Sequence, residues 1–152
     1  MPIAPLGCAC AILSRMSQDS SANVELVRRQ FEAIGMGGVE AAAEFWHPEI
    51  DWRAVEGAVD DVGPIRGRDA MLRYYQDWAE MVDDIRGGID EVVYDSGETL
   101  VVVLYHSGKG RGSNVPIHGR YTVVYTIRDG LIVRGREYET PEQAMAALEA
   151  AD

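Results

Sequence analysis

From Ile89 to Glu139 the chain consists of four consecutive runs rich in β-branched and aromatic residues: Ile89 to Tyr94, Thr99 to Ser107, Ile117 to Arg128 and Leu131 to Glu139. Asp95-Ser96-Gly97, a glycine-rich segment and Asp129-Gly130 separate them. Asp-Gly between two such runs is a strong hairpin signal. Sequential hairpins build an antiparallel, twisted sheet, and such a sheet needs a partner layer over at least one face.

The first half supplies that layer. Ser20-Ser21-Ala22-Asn23 can cap a helix, and Val24, Val27, Phe31 and Ile34 then recur at helical spacing until Gly35, Gly37 and Gly38 stop it. A short second helix follows, with Val39, Ala42, Ala43 and Trp46 on one side and His47-Pro48 at its end. Glu49 to Ala54 reads as a strand, and Val55 to Gly67 as a connection. The strongest helical pattern spans Arg68 to about Asp84, with Met71, Tyr74 or Tyr75, and Trp78 in its buried stripe and Gly87-Gly88 closing it. Thr140-Pro141-Glu142-Gln143 announces a last helix through a capping box with proline at the first helical position. The order predicts an α+β domain, with helices on one face of a curved sheet and a cavity on its concave side.

At 152 residues the chain has the size of one domain. With 25 acidic and 14 basic residues its net charge is -11, a surface that repels phosphate backbones and anionic lipid. Nucleic acid and membranes are therefore not expected partners. The only cysteines, Cys8 and Cys10, are too close in sequence to build a disulfide framework, and the cysteine-free remainder fits a reducing cytoplasm. The apolar stretch Ile3 to Leu13 lacks a preceding cation and is too short to span a bilayer. Residues 1–22 are read as a disordered leader, with Met16 as the start of the functional chain and residues 23–152 as the domain.

Four motifs in order carry a family resemblance: Phe45-Trp46-His47-Pro48-Glu49-Ile50-Asp51-Trp52, Gly67-Arg68-Asp69-Ala70, Arg128-Asp129-Gly130-Leu131-Ile132-Val133 and Arg136-Glu137-Tyr138. Together they resemble the nuclear transport factor 2-like superfamily, and more narrowly the SnoaL-like proteins of bacterial type, from Asn23 to about Ala150. The resemblance implies a cone-shaped, cystatin-like fold of three helices packed on a curved antiparallel sheet, with a short C-terminal helix. It also implies a small-molecule pocket and a homodimer through the convex sheet face, where Leu104, Val124, Ile132 and Tyr138 are expected.

Two activities of that superfamily match poorly. Where ketosteroid isomerases carry a tyrosine and two aspartates, this chain has Phe31, Arg53 and Val123. Of the acid–base set of limonene epoxide hydrolase, Glu137 stands at one aspartate, while Tyr105 and Ser107 stand at the arginine and the other aspartate. Asp51 and Arg53 fall at its water-holding positions.

Strand alternation gives an independent reading of which side chains face inward. It groups Asp51 and Arg53 on β-strand one, Tyr105 with Val101, Val103 and Ser107, Tyr121 with Val123 and Tyr125, and Glu137 with Val133 and Gly135. The expected catalytic residues are thus Glu137, Asp51 and Arg53, with ligand-binding walls from Phe31, Tyr74, Trp78, Tyr105 and Tyr121. Such a set suits a general base with a cation and phenols to stabilise an oxyanion; the alternative is an ion-pair network that only closes the cone. His106 and His118 are expected on the convex face. No metal spacing and no cofactor motif occurs, and the loop Gly108 to Ser113 lacks the phosphate-loop signature. Two uses follow: a pocket protein of the cyclase, isomerase or hydrolase kind, or a non-catalytic binding or dimerisation module.

Overall fold

The computed structural model describes residues 22–151. Residues 1–21, with Cys8, Cys10 and Met16 and all but the last residue of the expected leader, lie outside the described residues. Helix α1 spans 22–37, and a 3-10 turn follows at Val39–Phe45. Strand β1 is Trp46–Arg53, β2 Ile65–Arg66, helix α2 Arg68–Met81, β3 Val82–Ser96, β4 Thr99–Gly110, β5 Pro116–Arg128, β6 Leu131–Tyr138 and helix α3 Pro141–Ala151.

The four long or medium strands at the C-terminal end form the expected meander, and the sheet order is β2-β1-β6-β5-β4-β3. One pairing departs from a purely antiparallel sheet: β1 lies parallel to β6, with Trp52 opposite Gly135. This parallel pairing joins the N-terminal half to the meander and puts the two outer motifs of the sequence side by side. The core lies between this sheet and the helices, around Val27, Trp46, Ile50, Met71, Leu104, Tyr125 and Ile132. Trp46 is fully buried, packs edge-on against Tyr75 at 5.0 Å, and donates its indole N–H to Gln30 Oε1 at 2.7 Å. Burying an indole requires such an acceptor.

Several element boundaries differ from the sequence pattern. Trp46, His47 and Pro48 open β1 instead of ending a helix. Helix α2 stops at Met81, because Val82 is extended and begins the pairing of β3 with β4, opposite Gly110. Gly87 and Gly88 therefore lie inside a strand and do not close a helix. Their missing side chains leave room for neighbours: a Cβ on Gly87 would meet the Phe31 ring at 3.0 Å, and one on Gly88 the Tyr105 hydroxyl at 2.9 Å. Gly108 and Gly110 belong to β4, not to a loop. Arg111 beyond them is fixed to the end of α2, donating to Asp83 Oδ1 at 2.9 Å and to the Ala79 carbonyl at 3.0 Å. The capping box of α3 forms as expected, with Gln143 N donating to Thr140 Oγ1 and Thr140 N to Gln143 Oε1.

The two faces of β4 are both apolar, and this changes the assignment of sides. In register with β5, Leu104 pairs with Tyr121 and His106 with Gly119. The even-numbered residues Leu100, Val102, Leu104 and His106 thus share the face of Tyr121, Val123 and Tyr125. Val101 and Val103 occupy the other face and are still buried, since α3 packs across β4, β5 and β6. A strand covered on both sides loses the alternation that reveals its facing. The expectations for the convex face are corrected accordingly. Leu104 is 1% exposed and belongs to the main core. Ile132 joins the same core because a register shift between Thr126 and Ile127 reverses the alternation along β6.

Candidate functional site

Between the helices and the concave sheet face lies a cavity of about 460 Å³. Helix α1 contributes Phe31 and Ile34, α2 contributes Tyr74, Tyr75 and Trp78, and the segment after β1 contributes Val55 and Asp60. The sheet adds Ile85 and Arg86 from β3, His106 from β4, Tyr121 from β5 and Glu137 from β6. Tyr105 and Ser107 also border it. A volume of this order suits an organic ligand of a few fused or linked rings.

Glu137 is the most unusual group in the wall. It projects from β6 beside Val123, and Trp52 donates its indole N–H to Glu137 Oε1 at 3.3 Å. Burial pushes its carboxyl up to about 8, and the Asp60 carboxylate pushes in the same direction. The hydrogen bonds from Trp52 and from the Val55 backbone oppose this but do not overcome it. At neutral pH the group is therefore mainly a carboxylic acid that can donate its proton.

The remaining polar groups are mostly uncharged as well. Burial raises the hydroxyls of Tyr74, Tyr75 and Tyr121 above the ordinary phenol range, with the Glu137 charge adding to each. Burial lowers the imidazole of His106, although Asp60 acts the other way. Tyr74 donates its hydroxyl to Asp60 Oδ2 at 2.7 Å, which ties the segment after β1 to α2. A second tie holds the same segment: Asp61 accepts from the Gly57 and Gly63 amides at 2.8 and 2.9 Å and from Arg53 at 3.2 Å. These contacts hold the Asp61 carboxyl at about 2.

Of the expected site residues, the structure brings Phe31, Tyr74, Trp78, Tyr121 and Glu137 to one cavity. Tyr105 only borders it, because it stands opposite Arg120 on the other face of β4 from Tyr121 and is 42% exposed. Asp51 and Arg53 do not join them. They share one side of β1, as alternation requires, but that side faces outward. Asp51 pairs with Arg136 at 3.0 Å and Arg53 with Asp61. Trp52, 3% exposed, takes the inner side. Burying an indole is favourable where burying two charges is costly, and the sequence Asp-Trp-Arg contained that signal. His106 is the opposite correction: expected outside, it stands in the cavity wall between Trp78 and Tyr121, with ring centroids at 6.3 and 5.5 Å. His118 pairs with Ser107 on the outer set. Asp60 was hidden in a segment without periodicity. Among the described residues no group of three His, Cys, Asp or Glu side chains is placed to hold a metal ion, and no helix is long and apolar enough to cross a membrane.

Solved structures of similar shape reproduce this architecture. An NTF2-like protein of unknown function from Burkholderia pseudomallei superposes with a TM-score of 0.66 at 18% identity, covering 83% of this chain and 96% of its own. A protein from Jannaschia sp. CCS1, provisionally assigned as a SnoaL-like polyketide cyclase, gives 0.65 at 19% identity over 84% and 92%. TerC, co-crystallised with polyporic acid, gives 0.65 at 17% identity over 85% and 99%. At these identities the likeness concerns the fold. No curated protein matches the chain. The family model of the SnoaL-like domain matches residues 27–135, from the buried face of α1 to the glycine beneath Trp52. On that match the chain belongs to the SnoaL-like domain family, and its α+β fold is that of its NTF2-like structural neighbours.

Proposed function

We propose that this protein binds a small, largely apolar carbonyl compound in its cavity and moves a proton on it, in a reaction of the cyclase, isomerase or hydrolase kind. Glu137 is the group assigned to the reacting oxygen. The observation that carries this reading is a carboxyl kept protonated near neutral pH in the wall of an aromatic cavity of about 460 Å³. A neutral acid donates a hydrogen bond to a carbonyl and stabilises the charge that develops there. Asp51 and Arg53 have no part in it, since their ion pairs lie on the outer side of β1. Neighbours with this fold that are provisionally assigned as a polyketide cyclase, or co-crystallised with polyporic acid, support the use of such a cavity for organic molecules. The same reading includes a cytoplasmic protein that dimerises on the convex face beside α3, where Val124 and Tyr138 remain on the outer face; its mass in solution by light scattering tests the dimer.

The test is a thermal-shift screen of bicyclic ketones and phenols, including 2-tetralone and 2-naphthol, on wild type and Glu137→Gln. Ketones that stabilise the wild type by several degrees then enter an assay for exchange of the carbon-bound hydrogens next to the carbonyl in D2O, with the phenols serving as binding probes only. Wild type is expected to accelerate exchange, and Glu137→Gln to slow it by about 100-fold or more. Binding without exchange in either protein would instead leave a non-catalytic ligand-binding module. If no compound binds and Glu137→Gln changes only stability, Glu137 is structural.

A further inference from the structure

A neutral acid alone does not move a proton through a ligand; a base must face it across the same space. The cavity wall offers two candidates besides Glu137 itself, Asp60 and His106. Asp60 is already committed, because its Oδ2 takes the Tyr74 hydroxyl at 2.7 Å and so fastens the segment after β1. His106 is placed differently. Its ring packs between two aromatic rings, tilted at 54° to Trp78 and at 51° to Tyr121. Opposite it on β5 is Gly119. A Cβ there would come within 2.9 Å of His106 Cε1 and 3.0 Å of Nε2, so the missing side chain is what gives the imidazole its place on this face.

We propose that His106 is the base of this site, taking a proton from the ligand carbon next to a carbonyl whose oxygen is held by Glu137. The inference rests on the reading of the cavity as a proton-transfer site. His106 and Glu137 stand on β4 and β6 with Tyr121 of β5 between them, all on one face of the sheet. Both line the same cavity, one on either side of Tyr121. The charged and titratable groups acting on the imidazole are Asp60 from the segment after β1 and His118 from β5. Burial outweighs the attraction of Asp60, so the ring is unprotonated when Glu137 is protonated. Two groups driven apart in this way divide the roles of acid and base.

The step balances without a further reactant. The ligand C–H bond breaks, its proton goes to an imidazole nitrogen, and its electron pair becomes the enol double bond. The carbonyl π pair moves onto oxygen, which takes the proton of Glu137. Return of the imidazolium proton to another carbon of the conjugated system, and of the enol proton to Glu137, completes an isomerisation and restores both residues.

The experiment measures exchange of the acidic hydrogens of 2-tetralone in D2O by NMR with wild type, His106→Gln, His106→Ala and Glu137→Gln. Both His106 variants are expected to lose about 100-fold or more in rate while binding 2-tetralone within about twofold of wild type. Added imidazole is expected to restore a measurable part of the rate to His106→Ala, which a merely structural role would not allow. If only Glu137→Gln is slow and the His106 variants exchange at the wild-type rate, His106 is not the base and the acid role of Glu137 stands. Slow His106 variants that imidazole does not rescue assign His106 to packing and overturn the inference. Binding of 2-tetralone without exchange by the wild type overturns both readings together.

Discussion

The Trp52 indole lies directly over Gly135, where an added Cβ would fall 2.0 Å from the ring, and from that position it donates to Glu137. Three features of the site therefore depend on one another. The parallel pairing of β1 with β6 sets Trp52 opposite Gly135, the glycine makes room for the ring, and the ring supplies a hydrogen bond to the acid two residues further along β6. Tyr125 packs against the same ring at 5.6 Å and fixes its tilt.

Gly135→Ala is expected to be strongly destabilising. Its methyl group cannot share space with a ring held between Tyr125 and the sheet, so either Trp52 leaves its place or the strands separate. Overpacking of this kind costs about 1–3 kcal/mol or more. Urea denaturation followed by Trp fluorescence checks the loss, and a wild-type midpoint in Gly135→Ala would mean that the indole is free to move.

Glu137→Gln is expected to change the pH dependence of stability. The folded carboxyl titrates at about 8 against an ordinary value of 4.5, so the folded state binds the proton more tightly than the unfolded chain. The stability this brings is fully present below pH 4.5 and is lost as pH rises toward 8. Glutamine has no proton to lose. The variant should gain on wild type as pH rises, by on the order of a few kcal/mol by pH 9. Thermal unfolding from pH 5 to 9 measures it; parallel curves for the two proteins would place the Glu137 carboxyl near its ordinary range.

Tyr74→Phe removes the hydroxyl that holds Asp60, and Asp61→Asn weakens the three contacts that fix the same segment. Loss of a hydrogen bond to a charged group costs about 1.5–3 kcal/mol at a buried site and less where solvent reaches it. Both variants are expected to open residues 54–64 to proteolysis while leaving the sheet intact. Limited digestion followed by mass spectrometry tests this, and unchanged cleavage would show that the segment is held by packing alone.

Trp46→Phe is expected to destabilise by about 1–3 kcal/mol, because Gln30 Oε1 would remain buried without its donor. Gln30 is itself only 1% exposed, so water cannot readily replace the indole. A double variant, Trp46→Phe with Gln30→Leu, should recover part of the loss. No recovery would mean that the cost lies in ring packing against Tyr75.

The meander was legible because its turns carry Asp-Gly and its strands carry β-branched runs, both local signals. The last helix was legible for the same reason, through its capping box. Boundaries failed where tertiary pairing overrode local preference. Met81-Val82-Asp83 continues a helical pattern, but Val82 ends the helix by pairing opposite Gly110. At the site, Phe31, Tyr74, Trp78, Tyr121 and Glu137 could be grouped from periodicity and the family resemblance. Asp60 could not, since a segment without periodicity gives no indication of where its side chains point.

The sequence by itself determined the class of fold, the order of its elements and the aromatic character of the cavity, because these follow from periodicities and turn residues within each segment. Only the tertiary structure decided which face of each strand looks inward. That choice depends on contacts between segments distant in sequence: Trp52 over Gly135, His106 opposite Gly119, and α3 across the outer face of β4. Alternation fixes which residues share a side, and packing fixes which side is buried.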